Sequence, residues 1–225
     1  MMRSFFVLMI LSIILSCNSN NTESKPDTSN ESLTTDSGSS FDRTENLKLS
    51  ISDSIKREWS FFFSNPNAKD IFLLTIEPGM VKNSKSKLQI LTIDNKIIYT
   101  QIFDTYYFVK WIYEPDTVPI NIGQEAYNKF IENYCKSITP KQYKTYFWKN
   151  VNTFFEAIVS LDRSKYADLK NDWEEDIVDK NFLNEVLADS TVQLFDITCF
   201  DCDEGASIIG FSQKQNKVVT LLEHD

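Results

Sequence analysis

Leu88-Gln-Ile-Leu-Thr-Ile93, then Asp94-Asn95-Lys96, then Ile97-Ile-Tyr-Thr-Gln-Ile-Phe103 is the stretch from which the fold reads most directly. Two runs rich in β-branched and aromatic residues flank three turn-forming residues, which predicts an antiparallel hairpin. Just upstream, Ile71-Phe-Leu-Leu-Thr-Ile76 is a compact strand closed by Pro78-Gly79, and downstream Tyr106 to Tyr113 reads as a further strand stopped by Glu114-Pro115-Asp116. Before these strands, Leu47, Ile51, Ile55, Trp59 and Phe62 recur at near-helical spacing. That spacing predicts an amphipathic helix over residues 46–63, ended by Asn65-Pro66-Asn67.

Beyond the strands the pattern turns helical. Tyr127, Phe130, Ile131 and Tyr134 share one helical stripe after Gly123. Thr139-Pro140 has the form of an N-cap followed by proline in the first turn. Tyr143, Phe147, Val151, Phe154, Phe155 and Ile158 extend a buried face with a break near Asn150, and Tyr166, Leu169 and Trp173 mark another helix. Phe182, Leu183, Val186 and Leu187 mark a short one. Val192–Phe200, Ala206–Phe211 and Lys217–Leu222 then return to strand, the last two joined through Gln213–Asn216. Segregated runs of strands and helices predict an α+β domain with a largely antiparallel sheet, a helical middle segment and a C-terminal three-strand meander.

Composition divides the chain unevenly. Asn18 to Ser40 is dominated by Ser, Asn and Thr, with Leu33 its only large apolar side chain. Such a segment buries too little apolar surface to offset its ordering entropy and is expected to be a disordered tether. Its relaxed reach is on the order of 25 Å and its extended limit about 80 Å. Residues 45–225 hold nearly all the tryptophan and tyrosine, enough for a substantial core in one domain. With 23 Lys+Arg against 32 Asp+Glu, the net charge of −9 argues against nucleic acid and anionic membrane surfaces as electrostatic partners. A basic protein partner suits that charge, which also simply keeps a domain in solution.

At the start of the chain, Met1-Met2-Arg3 is followed by apolar residues from Phe5 to Ile10 and by Ile13, Ile14 and Leu15, ending at Ser16-Cys17. This resembles a bacterial lipoprotein signal peptide, whose lipobox sets a small residue before the cysteine. The apolar run is shorter than the roughly 20 residues a spanning helix needs. The resemblance implies cleavage of residues 1–16, a lipid (palmitate among its acyl groups) on Cys17, and a tether over 17–44. It also implies a place in the bacterial cell envelope, with the outer membrane facing the periplasm favoured. Anchorage would then be through the lipid on Cys17 alone.

Chemistry is sparse. Cys199-Phe-Asp-Cys-Asp-Glu-Gly205 carries the only close cysteine pair, Cys199 and Cys202, among turn-forming residues. In an oxidising compartment the expected reading is a structural disulfide. A redox pair would want a helix N-terminus, and Asp201, Asp203 and Glu204 would raise a thiol pKa. Cys135 is expected to be a buried thiol, although its pairing with Cys199 or Cys202 would tie helix to sheet. These three cysteines and His224, the only histidine, also make a zinc-type ligand set, but first and third strands lie about 10 Å apart. No metal and no cofactor are therefore expected.

No Gly-x-Ser-x-Gly elbow and no glycine-rich phosphate loop is present. Glu174-Glu175-Asp176 reads as a solvated helix face, and Phe61-Phe62-Phe63 and Tyr106-Tyr107-Phe108 as core. The sequence thus favours a non-enzymatic binding or accessory lipoprotein, in its sharper form an inhibitor or immunity-type protein. The alternative is a small envelope hydrolase built from dispersed carboxylates. Changing Cys17 to Ser should move the protein out of the membrane fraction; equal membrane retention of C17S would sink the lipoprotein reading.

Overall fold

The computed structural model describes residues 42–115, 117–120, 122–172, 176–200 and 205–224. Strand β1 (Ser50–Ile51) is followed by β2 (Ile55–Asn65), β3 (Ala68–Ile76), β4 (Gly79–Met80), β5 (Lys85–Leu91) and β6 (Ile97–Asp104). β2, β3, β5 and β6 pair in that order as an antiparallel sheet, while β1 and β4 form a two-stranded ribbon. Period-two alternation drives the pairing. Phe72, Leu74 and Ile76 of β3 and Leu88 and Ile90 of β5 are buried, with the intervening residues partly open. The β5–β6 hairpin forms where the sequence places it. Asn95 takes a left-handed φ of 60°, and Thr92 N–H donates to Lys96 O at 2.9 Å.

Residues 55–63 correct the expectation of a helix over 46–63. They form β2, because the same segment also alternates strictly: Trp59, Phe61 and Phe63 turn inward while Glu58, Ser60 and Phe62 face out. The stripe through Leu47, Ile51 and Ile55 mimics a helix by coincidence. β3 supplies the ladder partner that decides the matter, with Trp59 opposite Phe72 and Ile55 opposite Ile76. Asn65-Pro66-Asn67 is accordingly a hairpin turn, where Asn67 N–H donates to Asn65 Oδ1 at 2.8 Å. Buried Asp70 fastens the hairpin by accepting from Ser64 N–H at 2.5 Å and Ser64 Oγ–H at 2.9 Å.

Tyr106–Tyr113 is not a strand either. It forms two 3-10 turns, Thr105–Phe108 and Lys110–Tyr113. Phe108, Val109, Ile112 and Tyr113 are buried at helical offsets. The ladder stops at Thr105, whose N–H goes to Ser84 O and whose hydroxyl lies 2.9 Å from that of Ser86.

The helical middle comprises α1 (Gln124–Ser137) and α2 (Pro140–Asn152). Thr139 caps α2 reciprocally with Gln142, and Pro140 occupies the first turn. After β7 (Ile158–Ser160) come α3 (Tyr166–Asp172) and α4 (Lys180–Ala188), then β8 (Leu194–Thr198), β9 (Ala206–Ser212) and β10 (Lys217–His224). The expected three-strand meander is present, and β7 extends it to a four-stranded antiparallel sheet in the order β10-β9-β8-β7. The fold is α+β.

The C-terminal sheet is buried on both faces, which explains its near-continuous apolar runs. Phe195, Ile197, Ile209 and Phe211 turn toward the first sheet, where the Phe195 ring lies 5.0–5.9 Å from those of Trp59, Phe61, Phe63 and Phe72. Leu194, Ile208, Val219 and Leu221 turn the other way, against Tyr166, Leu169, Phe182 and Val186 of α3 and α4. Gly210 is required there by close approach, since a Cβ at this position would sit 2.7 Å from Leu194 Cδ2 and 2.8 Å from Phe182 Cζ. In denaturant unfolding, Phe195→Ala should cost about 3–5 kcal/mol. Gly210→Ala should cost about 1–3 kcal/mol through overpacking. A near-neutral Phe195→Ala would contradict the central place given to this ring.

Candidate functional site

α2 has two unlike faces. Tyr143, Phe147 and Val151 are buried, Phe147 against Phe108 with ring centroids 5.8 Å apart. On the outer side Lys141, Gln142, Thr145, Tyr146 and Lys149 line a groove of about 510 Å³, completed by Tyr134 and Ile138 of the α1 end and by Ile112. Its floor is aliphatic and aromatic, and its polar groups are two ammonium groups, one amide, one hydroxyl and the phenol oxygens. Among the described residues no carboxylate, thiol or imidazole lines it. Among the described residues neither Lys141 nor Lys149 forms a salt bridge. The first turn of α2 carries no acid, so Lys141 adds its charge to the positive end of the helix dipole.

A smaller cavity of about 160 Å³ continues along the same helix, lined by Tyr107, Trp111, Asn150 and Thr153, with Tyr146 shared between the two. Lys110 Nζ lies 4.7 Å from the Trp111 ring centroid and 5.5 Å from that of Tyr107. Asn150 Nδ2 donates to Phe108 O at 2.9 Å, which ties α2 to the 3-10 turn beneath. A third cavity of about 390 Å³ lies between the β2–β3 hairpin and the α4–β8 loop, lined by uncharged residues including Phe62, Asn65 and Thr191.

The residues singled out by sequence do not converge on any of these. Cys17 and Cys202 lie outside the described residues. Cys135 is a free thiol buried on α1, and burial pushes its pKa up. That freedom removes the pairing of Cys135 with Cys199 or Cys202. Cys199 directly follows the end of β8. Its N–H donates to Gly205 O at 2.9 Å and Gly205 takes a φ of +112°, so the chain does turn between β8 and β9. The register sets His224 opposite Ala206, itself opposite Thr198, which brings the ends of β8 and β10 to the same edge of the sheet, two strands apart. No group of three His, Cys, Asp or Glu among the described residues is placed to hold a metal.

Of the acidic run, Glu174 and Glu175 lie outside the described residues, and Asp176 is exposed. The aromatic triplets are divided. Phe63 and Phe108 are core, Phe61, Tyr106 and Tyr107 pack against it, and Phe62 is exposed beside the third cavity. Sequence reading missed the groove because its lining comes from three separate segments. One signal was available: residues 133–155 contain no acid in a chain that has 32, and they carry four lysines. No family model matches the chain, and no curated protein or solved structure matches it.

Burial of Cys135 gives a direct check on the sulfur chemistry. In the native protein its thiol should resist alkylation. On denaturation without reduction one thiol should react, rising to three after reduction, in protein whose Cys17 carries the expected lipid. Three thiols before reduction would remove the structural disulfide.

Proposed function

We propose that this chain is a lipid-anchored, non-enzymatic binding or accessory module of the bacterial cell envelope, and that the groove between α1 and α2 is its binding site. The observation that carries the reading is the groove's lining: a largely apolar floor within the 300–1,000 Å³ range of ligand sites, edged by a few polar groups. The signal-like start and Cys17 support the anchorage, and Cys199 with Cys202 is the disulfide that clasps the β8–β9 turn. Such a bond closes a short loop, so its stabilisation lies below the typical 2–4 kcal/mol and its role is to shape the turn.

The hydrolase alternative draws no support from the cavities, because among the described residues no Asp or Glu lines any of the three. The buried carboxylates are engaged structurally. Asp70 holds the β2–β3 turn, and Glu185 accepts from Ser212 Oγ–H at 2.7 Å and Lys214 N–H at 3.2 Å. The narrower reading as an inhibitor of a basic protein rests on net charge alone, whereas this groove presents lysines.

Thr145 is exposed at the middle of the groove, so Thr145→Trp fills it without disturbing the core. The substitution should leave the melting temperature within a few degrees and reduce at least tenfold the recovery of whatever the full-length protein retains from envelope extracts. Unchanged retention by T145W would displace the site from this groove. Turnover of an envelope substrate that disappears on removing one of the acids would replace the binding role with catalysis.

A further inference from the structure

The groove's charge runs against that of the chain, and this narrows what it takes. Glu132 and Glu156 bound a window of 23 residues with no acid, and that window supplies all the lining except Ile112. Ile112 itself sits in a second acid-free stretch, between Asp104 and Glu114, which brings Lys110. Within the window Lys136 is neutralised by Glu132 one helical turn away. Lys141 and Lys149 line the groove and have no described salt-bridge partner. Lys144, on the same helix, is exposed. A neutral apolar ligand would have no use for this arrangement, and a cationic one would be repelled by it.

Dimensions decide between a small molecule and a protein. The lining of α2 runs from Lys141 to Lys149, two turns and a little more, or about 12 Å of helix. A docked protein surface needs on the order of 800 Å² on each partner, far beyond two helical turns and one 3-10 turn. The volume of about 510 Å³ instead matches a single small ligand. Ile112, Ile138 and the rings of Tyr134 and Tyr146 offer apolar contact along that length, and the ammonium groups stand at its ends, eight residues apart.

We propose that the α1–α2 groove binds a single-chain anionic amphiphile, a fatty-acid-like carboxylate, with its alkyl chain along Ile112, Ile138 and Tyr146 and its head on Lys141 or Lys149. This rests on the groove being the binding site and adds the chemistry of the ligand. Burial of the chain against the apolar lining supplies the affinity. The lysines supply the sign, because a charge-assisted contact at the mouth of an apolar groove discriminates between anion, neutral and cation.

The test is titration calorimetry of the full chain in detergent-free nanodiscs with dodecanoate, dodecanol and dodecylammonium, each below its aggregation concentration. Dodecanoate should bind one to one and at least tenfold more tightly than either of the others. The double variant K141E/K149E should lose at least tenfold in dodecanoate affinity while melting where the wild type does, and raising salt should weaken only the dodecanoate. Dodecanol binding as well as dodecanoate, with no effect of K141E/K149E but loss in T145W, would overturn the anionic class and leave the groove as the site. Dodecanoate binding that T145W does not weaken would overturn both, whereas the absence of binding by all three probes would overturn the amphiphile class alone and leave the groove to the retention test.

Discussion

The packing of Phe195 between the two sheets is the contact on which the rest of the molecule depends. Its ring meets Trp59, Phe61 and Phe63 of β2 and Phe72 of β3, so one side chain of β8 locks the face of the first sheet. From there aromatic contact is continuous. Trp59 stacks on Phe155, Phe155 meets Phe154, Phe154 meets Phe108, and Phe108 meets Phe147 of α2. The inner face of α2 is therefore fixed from the sheet interface outward. Its outer face, with the groove, is whatever that anchoring leaves turned to solvent. Aromatic pairs of this kind contribute about 0.5–1.5 kcal/mol each beyond their buried area, and their geometry orients as well as stabilises.

The two helical layers differ in consequence. α3 and α4 spend their apolar stripes on the back of the C-terminal sheet, and Glu185 on α4 is drawn inward to hold the β9–β10 turn through Ser212 and Lys214. α1 and α2 cover the end of the first core, where Tyr113 and Tyr143 pack beside Cys135 and burial raises the pKa of both phenols. Ile138 belongs to that core and Tyr134 and Tyr146 pack against it, and the parts they leave open line the groove.

What was legible in the sequence was what is local. The β5–β6 hairpin, the Thr139-Pro140 start of α2 and the runs of the C-terminal sheet depend on neighbours within a few residues. β2 was not legible because residues 47–63 satisfy two periods at once, and only the ladder to β3 chooses between them. Tyr106–Tyr113 misled in the same way: aromatic content suggested a strand, while the burial of Phe108 with Ile112 and of Val109 with Tyr113 needed a turn. The cysteines and His224 attracted attention as rare residues, yet rarity carried no information about convergence. The groove is the opposite case, built from common residues whose only sequence trace is the missing acids.

That trace also shows why net charge was a poor guide to the site. At physiological ionic strength fields from exposed charges fade over about 8 Å, so a ligand inside the groove is governed by the side chains that line it and not by the total of −9. The acidic remainder acts at longer range, on solubility and on the approach of large charged partners. The two effects are separable because they reside on different parts of the fold. Strands, loops, α1, α3 and α4 all carry acids, and α2 with the two 3-10 turns over residues 105–113 carries none. An acidic chain can in this way keep a cationic mouth, provided the helix that forms it excludes carboxylates over several turns, as α2 does.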